Sequence, residues 1–112
     1  MQQLTLPHAT ARLPDWQEAW RRTGALVLLL DFDGTLAPIV SRPEDAALPT
    51  RTAAALQRLH RIESLTMAVV SGRAMDDARE RVALPDIAYA GNHGMEIEGP
   101  GLHRIHEDAA RA

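Results

Sequence analysis

No cysteine occurs among the 112 residues, so the chain can build neither a disulfide framework nor a thiolate metal site. A reducing compartment suits such a sequence. Lysine is also absent: all twelve basic residues are arginines. Aromatic residues are scarce (two Trp, one Tyr, one Phe), and no basic tract interleaves with them. With a net charge of -3, that leaves no footing for nucleic acid. Long apolar runs are missing too. The main hydrophobic run, residues 25–30, falls far short of the ~20 residues that cross a bilayer. Residues 1–13 contain no apolar core like that of a signal peptide. The expectation is a cytoplasmic protein with neither a membrane nor a nucleic-acid partner. What remains is a globular composition, 46% hydrophobic and 24% charged, at a length that can bury one modest core.

The chain is organised around Ala25-Leu-Val-Leu-Leu-Leu-Asp-Phe-Asp-Gly-Thr-Leu36. The run before the acids reads as a strand over 25–30, buried on both faces as in parallel sheets. Side chains alternate along a strand, so Asp31 and Asp33 leave its carboxyl end on one side, with Phe32 turned away. Gly34 permits a tight turn and close approach of a ligand. The crevice beyond strand C-termini is where open α/β sheets bind ligands. Two acids there suit phosphoryl transfer. One can attack a phosphate ester and form an acyl-phosphate, and the other can serve the leaving alcohol and then the attacking water as acid and base. Two carboxylates facing a phosphate dianion call for a hard cation with oxygen ligands, which Mg²⁺ satisfies. A bare Asp-x-Asp is more often a pair of solvated acids in a turn. The strand before it and the Gly-Thr after it reverse that reading.

Taken in order, residues 1–12 form a polar leader and 14–22 a short helix stopped by Gly24. Trp16 and Trp20 share one face of that helix, a spacing that suits packing. The proline-rich stretch 37–49 reads as a loop across the mouth of the site, its acids solvated. A helix follows over 50–61, capped by Thr50, with Ala55, Leu56, Leu59 and Ile62 as its apolar stripe. A second strand, Leu65–Val70, delivers Ser71-Gly72-Arg73 to the edge that carries Asp31. Ser71 can hydrogen-bond a phosphate oxygen there, or it can simply cap the helix Met75–Val82, whose N-terminus points at the anion. A third strand over 87–90 leads to Gly91-Asn92-His93-Gly94, whose two glycines imply unusual backbone geometry. That loop either faces the site or is only a tight turn into a terminal hairpin, 95–98 and 102–106. His103 and His106 fall on opposite faces of its last strand and make a poor metal pair.

Asp-Phe-Asp-Gly-Thr-Leu-Ala-Pro-Ile, Val-Val-Ser-Gly-Arg and Gly-Asn-His-Gly-Met-Glu occur here in that order. The first resembles the opening motif of haloacid-dehalogenase-like phosphatases. The three together resemble the trehalose-6-phosphate phosphatases within that superfamily, over roughly residues 26–98. The resemblance implies an α/β fold: a Rossmann-like parallel sheet with flanking helices, incomplete here and ending in a β-hairpin. It implies Mg²⁺-dependent hydrolysis of trehalose 6-phosphate, a step in trehalose synthesis, through an aspartyl-phosphate on Asp31. Asp33 would be the general acid/base, and Mg²⁺ would sit between the Asp31 carboxylate and the Asp33 backbone carbonyl. Gly34, Thr35, Ser71, Gly72, Arg73, Asn92 and His93 would neighbour phosphate or sugar. The superfamily's later basic residue, usually lysine, and its later acidic pair have no counterpart after Arg73. The sequence is therefore read as an N-terminal part of a longer enzyme, with residues 1–24 as leader and helix and 25–112 as the first section of the core. The 112 residues alone are expected to be inactive, and to be unstable or self-associating through an open sheet edge. The alternatives are a phosphatase or mutase for another sugar phosphate, and a non-catalytic half-domain that binds a partner.

Overall fold

A computed structural model describes residues 5–108. Three strands, β1 (Leu26–Asp31), β2 (Leu65–Val70) and β3 (Ala88–Gly91), run parallel, and β4 (Glu96–Gly99) and β5 (Leu102–Ile105) follow antiparallel. Their order in the sheet is the order in the chain, β1-β2-β3-β4-β5. Helices α1 (Leu13–Thr23), α2 (Thr50–His60) and α3 (Met75–Val82) connect and flank them. The α/β sheet with flanking helices and a terminal hairpin is the architecture expected from the sequence. The leader reading falls partly on residues 1–4, outside the described residues, but Ala9–Arg12 form a 3₁₀ turn running into α1.

One face of the sheet carries the core. Leu65, Met67, Val69 and Tyr89 project from it and are buried with Leu56 of α2 and Met75 and Val82 of α3. Phe32, fully buried, closes that core beneath the end of β1. Trp20 packs against the same cluster and donates its indole N–H to Ser64 Oγ at 3.0 Å, fastening α1 to the sheet, while Trp16 stays half exposed. Gly24, left-handed at φ 79°, ends α1.

Three expectations are corrected. β1 is covered on one face only: Val27 and Leu29 are 64% and 66% exposed, because α2 and α3 pack on the side of Leu26, Leu28 and Leu30. A continuous apolar run reports hydrophobicity, not which face a later element will cover. Thr50 does not cap α2; the cap position is Pro49, whose fixed extended geometry precedes the first turn, with no side-chain bond. In α2 only Leu56 is buried, with Leu59 beside it, whereas Ala55 is exposed and Ile62 is 38% exposed.

Candidate functional site

The turn after β1 is built on Phe32. Its buried ring anchors the chain, and its carbonyl accepts the N–H groups of Thr35, Leu36 and Ala37 at 3.3, 3.0 and 3.0 Å. Gly34 turns the backbone at φ 80°, a left-handed conformation that L side chains rarely adopt. Asp31 and Asp33 emerge exposed on either side of Phe32. The β1–β2 register sets Asp31 beside Val70, so Ser71 follows directly across the sheet.

Ser71 is buried. Its N–H donates to Ala90 O at 2.8 Å, and its Oγ accepts the Arg73 N–H at 3.0 Å. It does not cap α3, whose cap residue Ala74 makes no side-chain bond. The third loop leaves β3 through Asn92, His93 and Gly94, all left-handed at φ 50°, 55° and 87°. Asn92 N–H donates to Arg73 O at 2.6 Å and His93 N–H to Ser71 O at 3.3 Å, so the second and third loops are stitched together. The His93 imidazole lies over Gly72, where a Cβ would stand 2.6 Å from its Cε1.

These loops enclose a cleft of about 340 Å³ lined by Asp33, Ile39, Val40, Pro43, Gly72, Arg73 and His93. Hollows of about 310 and 400 Å³ lie at the other ends of the strands, around Pro85–Ile87 and Leu65–Met67, away from the acids. Four of the nine residues singled out in the sequence therefore line the cleft itself. Asp31, at the end of β1, and Gly34 and Thr35, on the loop after it, stand exposed, and Ser71 and Asn92 hold the other two loops together.

The electrostatics centre on Arg73. Its Nε and Nη2 donate to the two carboxylate oxygens of Asp33 at 2.9 and 2.7 Å, and its Nη1 donates to Asp77 at 3.1 Å. Its guanidinium lies 5.4 Å from the Phe32 ring centre. The hydrogen bonds from Arg73 hold the Asp33 carboxyl below the usual carboxylate range, and the same bonds raise Arg73 further. Burial pushes Asp77 up, but hydrogen bonds from Arg73 and Arg81 outweigh it and leave its carboxyl lowered. Asp77 and Arg81 were not picked out from the sequence. Their signal is the spacing 73–77–81, two steps of four residues that bring opposite charges together, the second of them within α3.

Among the described residues no three His, Cys, Asp or Glu side chains gather into a metal cluster. The donors near the cleft nevertheless suit a hard cation. The Asp31 carboxylate makes no hydrogen bond among the described residues, and neither does the Asp33 carbonyl, although the adjoining Phe32 carbonyl accepts three. Mg²⁺ takes oxygen ligands, needs few from the protein and keeps several waters. His103 and His106 pair instead with Glu98 and Asp108. No helix among the described residues is long and apolar enough to cross a membrane.

Comparison with known proteins places this geometry in context. The profile of the family described as Trehalose-phosphatase matches residues 29–112. A trehalose-phosphate phosphatase of Mycobacterium ulcerans is 45% identical over 109 residues, covering 91% of this chain and 27% of the relative. The trehalose-phosphate phosphatase of Mycobacterium tuberculosis is 41% identical over 108 residues, with the same coverage. The chain thus spans about a quarter of the length of these relatives. Among solved structures, Aspergillus fumigatus trehalose-6-phosphate phosphatase superposes with a TM-score of 0.71 at 26% identity, over 87% of this chain and 35% of that one. A haloacid dehalogenase-like hydrolase from B. subtilis shares the fold, with a TM-score of 0.56 at 21% identity over 76% of this chain and 30% of that one.

Proposed function

This chain belongs to the trehalose-phosphatase family, and from that premise we propose that it supplies the nucleophile and the acid/base of an enzyme hydrolysing trehalose 6-phosphate to trehalose and phosphate. The observation that carries the reading is convergence at one sheet edge. Asp31 and Asp33 end β1 where the Ser71–Arg73 and Asn92–His93 loops are bonded together.

In this reading the exposed Asp31 carboxylate attacks phosphorus, and the bond from phosphorus to the sugar oxygen breaks. Asp33, protonated when one of its oxygens leaves the Arg73 fork, gives that proton to the sugar oxygen. It then takes one from a water that attacks the aspartyl-phosphate, which releases phosphate and restores Asp31. Mg²⁺, held by the Asp31 carboxylate and the Asp33 backbone carbonyl, would offset the repulsion between the acids and the phosphate dianion. Thr35, Ser71, Gly72 and Asn92 would frame the phosphate, with His93 nearer the sugar. Residues 25–112 would form the first section of the catalytic core and 1–24 its leader. The protein would work in the cytoplasm.

The test is phosphate release from trehalose 6-phosphate by the complete polypeptide that carries this chain, with and without Mg²⁺, beside glucose and mannose phosphates. Release that requires Mg²⁺, favours trehalose 6-phosphate and disappears in Asp31→Asn is the expected result. Normal turnover by Asp31→Asn would sink the mechanism, and a preference for another sugar phosphate would sink the substrate.

A further inference from the structure

Arginine beside a phosphate site invites the reading that it binds the phosphate. The geometry points elsewhere: we infer that Arg73 is a positioning residue for Asp33, and that Asp77 completes the device by fixing Arg73. The inference rests on the acid/base role of Asp33 proposed above.

Three observations carry it. The Nε/Nη2 fork of Arg73, which a phosphate would need for a two-point contact, already grips both oxygens of Asp33. No other side chain bonds the Asp33 carboxylate among the described residues, so without Arg73 it would be free to rotate. Arg73 is itself held on further sides, over the Phe32 ring and by Asp77, and only 11% of its side chain is exposed. Asp77 divides its carboxylate between two arginines: one oxygen takes Arg73, the other takes Arg81 Nε at 2.9 Å. Arg81 then reaches the carbonyls of Glu44 and Ala46 on the 37–49 loop. Asp33, Arg73, Asp77 and Arg81 form one continuous chain from the cleft to the loop at its mouth.

A fixed carboxylate suits the base half of the reaction directly, and the acid half once one oxygen leaves the fork to carry the proton while the other stays bonded to Arg73. Misplacing a reacting group by about 1 Å can cost ~100-fold in rate. The substitution Arg73→Lys discriminates between the readings, because lysine keeps the charge but cannot hold both oxygens in a planar fork. In the complete polypeptide, Arg73→Ala and Arg73→Lys should both lower kcat about 10- to 100-fold. KM for the sugar phosphate and Kd for inorganic phosphate should stay within about twofold in both, since no phosphate contact is lost. Asp77→Asn should lower kcat by a smaller factor of the same kind, again with KM unchanged. The inference is overturned if Arg73→Ala raises KM and the phosphate Kd about tenfold or more while Arg73→Lys keeps most activity. It is equally overturned if Asp77→Asn leaves kcat untouched. Should the unmutated polypeptide release no phosphate from any sugar phosphate, the phosphatase reading fails on its own. The clamp is then read directly by nitrogen-15 NMR: Asp77→Asn should speed exchange of the Arg73 Nη1 protons, which Asp77 holds, and unchanged exchange would overturn it.

Discussion

Gly72 and Gly91 are both glycine for want of room, and they differ in what fills the room. A Cβ on Gly91 would stand 2.8 Å from Met75 Cβ and closer still to the Met75 backbone, where α3 begins. That backbone cannot step aside without lifting α3 from β3. Gly91→Ala should therefore cost about 3 kcal/mol, the upper end of overpacking, and lower the melting temperature by roughly 12 °C or more. A Cβ on Gly72 has the imidazole of His93 as its nearest neighbour, the end of a side chain that can swing. Gly72→Ala should melt within a few degrees of the parent yet raise KM for the sugar phosphate, if His93 contacts sugar. A change in melting without a change in KM would argue against that contact. The unusual backbone geometry expected around Asn-His is present, but not at Gly91, which is extended at φ −117°. The left-handed torsions fall on Asn92, His93 and Gly94. Nothing near Gly91 in the chain reveals this, because its neighbour Met75 is sixteen residues away. Tyr89 is a further residue fixed by its surroundings. Its buried hydroxyl donates to Leu84 O at 2.7 Å and accepts Leu84 N–H at 3.2 Å, and burial raises its pKa. Tyr89→Phe should cost about 1–3 kcal/mol by leaving both backbone groups unpaired, measurable by chemical denaturation.

Among the elements, β2 and α3 were legible to the residue, and the hairpin to within a residue or two. Each has a clear period, or glycine and proline at its ends. β1 was legible as a strand but not in its burial, since a run of leucines looks the same whether one face is covered or two. The ion chain through α3 was written in the 73–77–81 spacing. What stayed hidden was the partner 40 residues earlier in sequence, Asp33. This chain carries an acid dependence of stability. Asp77 and Asp33 have folded pKa values below their unfolded values near ~3.9, so their stabilisation is complete above that value. It fades as pH falls through the folded values. Both side chains are more than a third exposed, so solvent screening keeps the effect modest. Melting temperature should be level from about pH 6 to 5 as far as this network is concerned, and should decline below about pH 4. The decline should be shallower in Asp77→Asn, and an identical slope in both proteins would refute the assignment.

At the scale of the whole molecule, β1 lies at the sheet's edge with no strand on its outer side among the described residues. Val27, Leu29 and Val70 stand exposed beside one another on the uncovered face. An apolar edge strand with unpaired backbone groups is a template for another chain. The 112-residue chain by itself should therefore associate, with a weight-average mass that rises with concentration in sedimentation experiments. Leu29→Lys should suppress that rise. A monodisperse monomer across the concentration range would refute the expectation. An open edge was expected from the incomplete parallel sheet; that β1 presents it was not legible, because its apolar character is the same as that of a strand enclosed on both sides.

The hairpin β4–β5 also has a consequence for the cleft. β4 departs from the cleft end of the sheet, turns at Pro100–Gly101, and β5 returns to it, where His106 N–H donates to Met95 O at 2.7 Å. The pairing sets Arg104 opposite Ile97 and His103 opposite Glu98. A slip of one residue in that pairing would exchange the faces of His103 and Arg104. The Gly101 turn, at φ 70°, thus acts as a distant alignment pin for the chain as it comes back beside Gly94 and Met95, directly after Asn92 and His93.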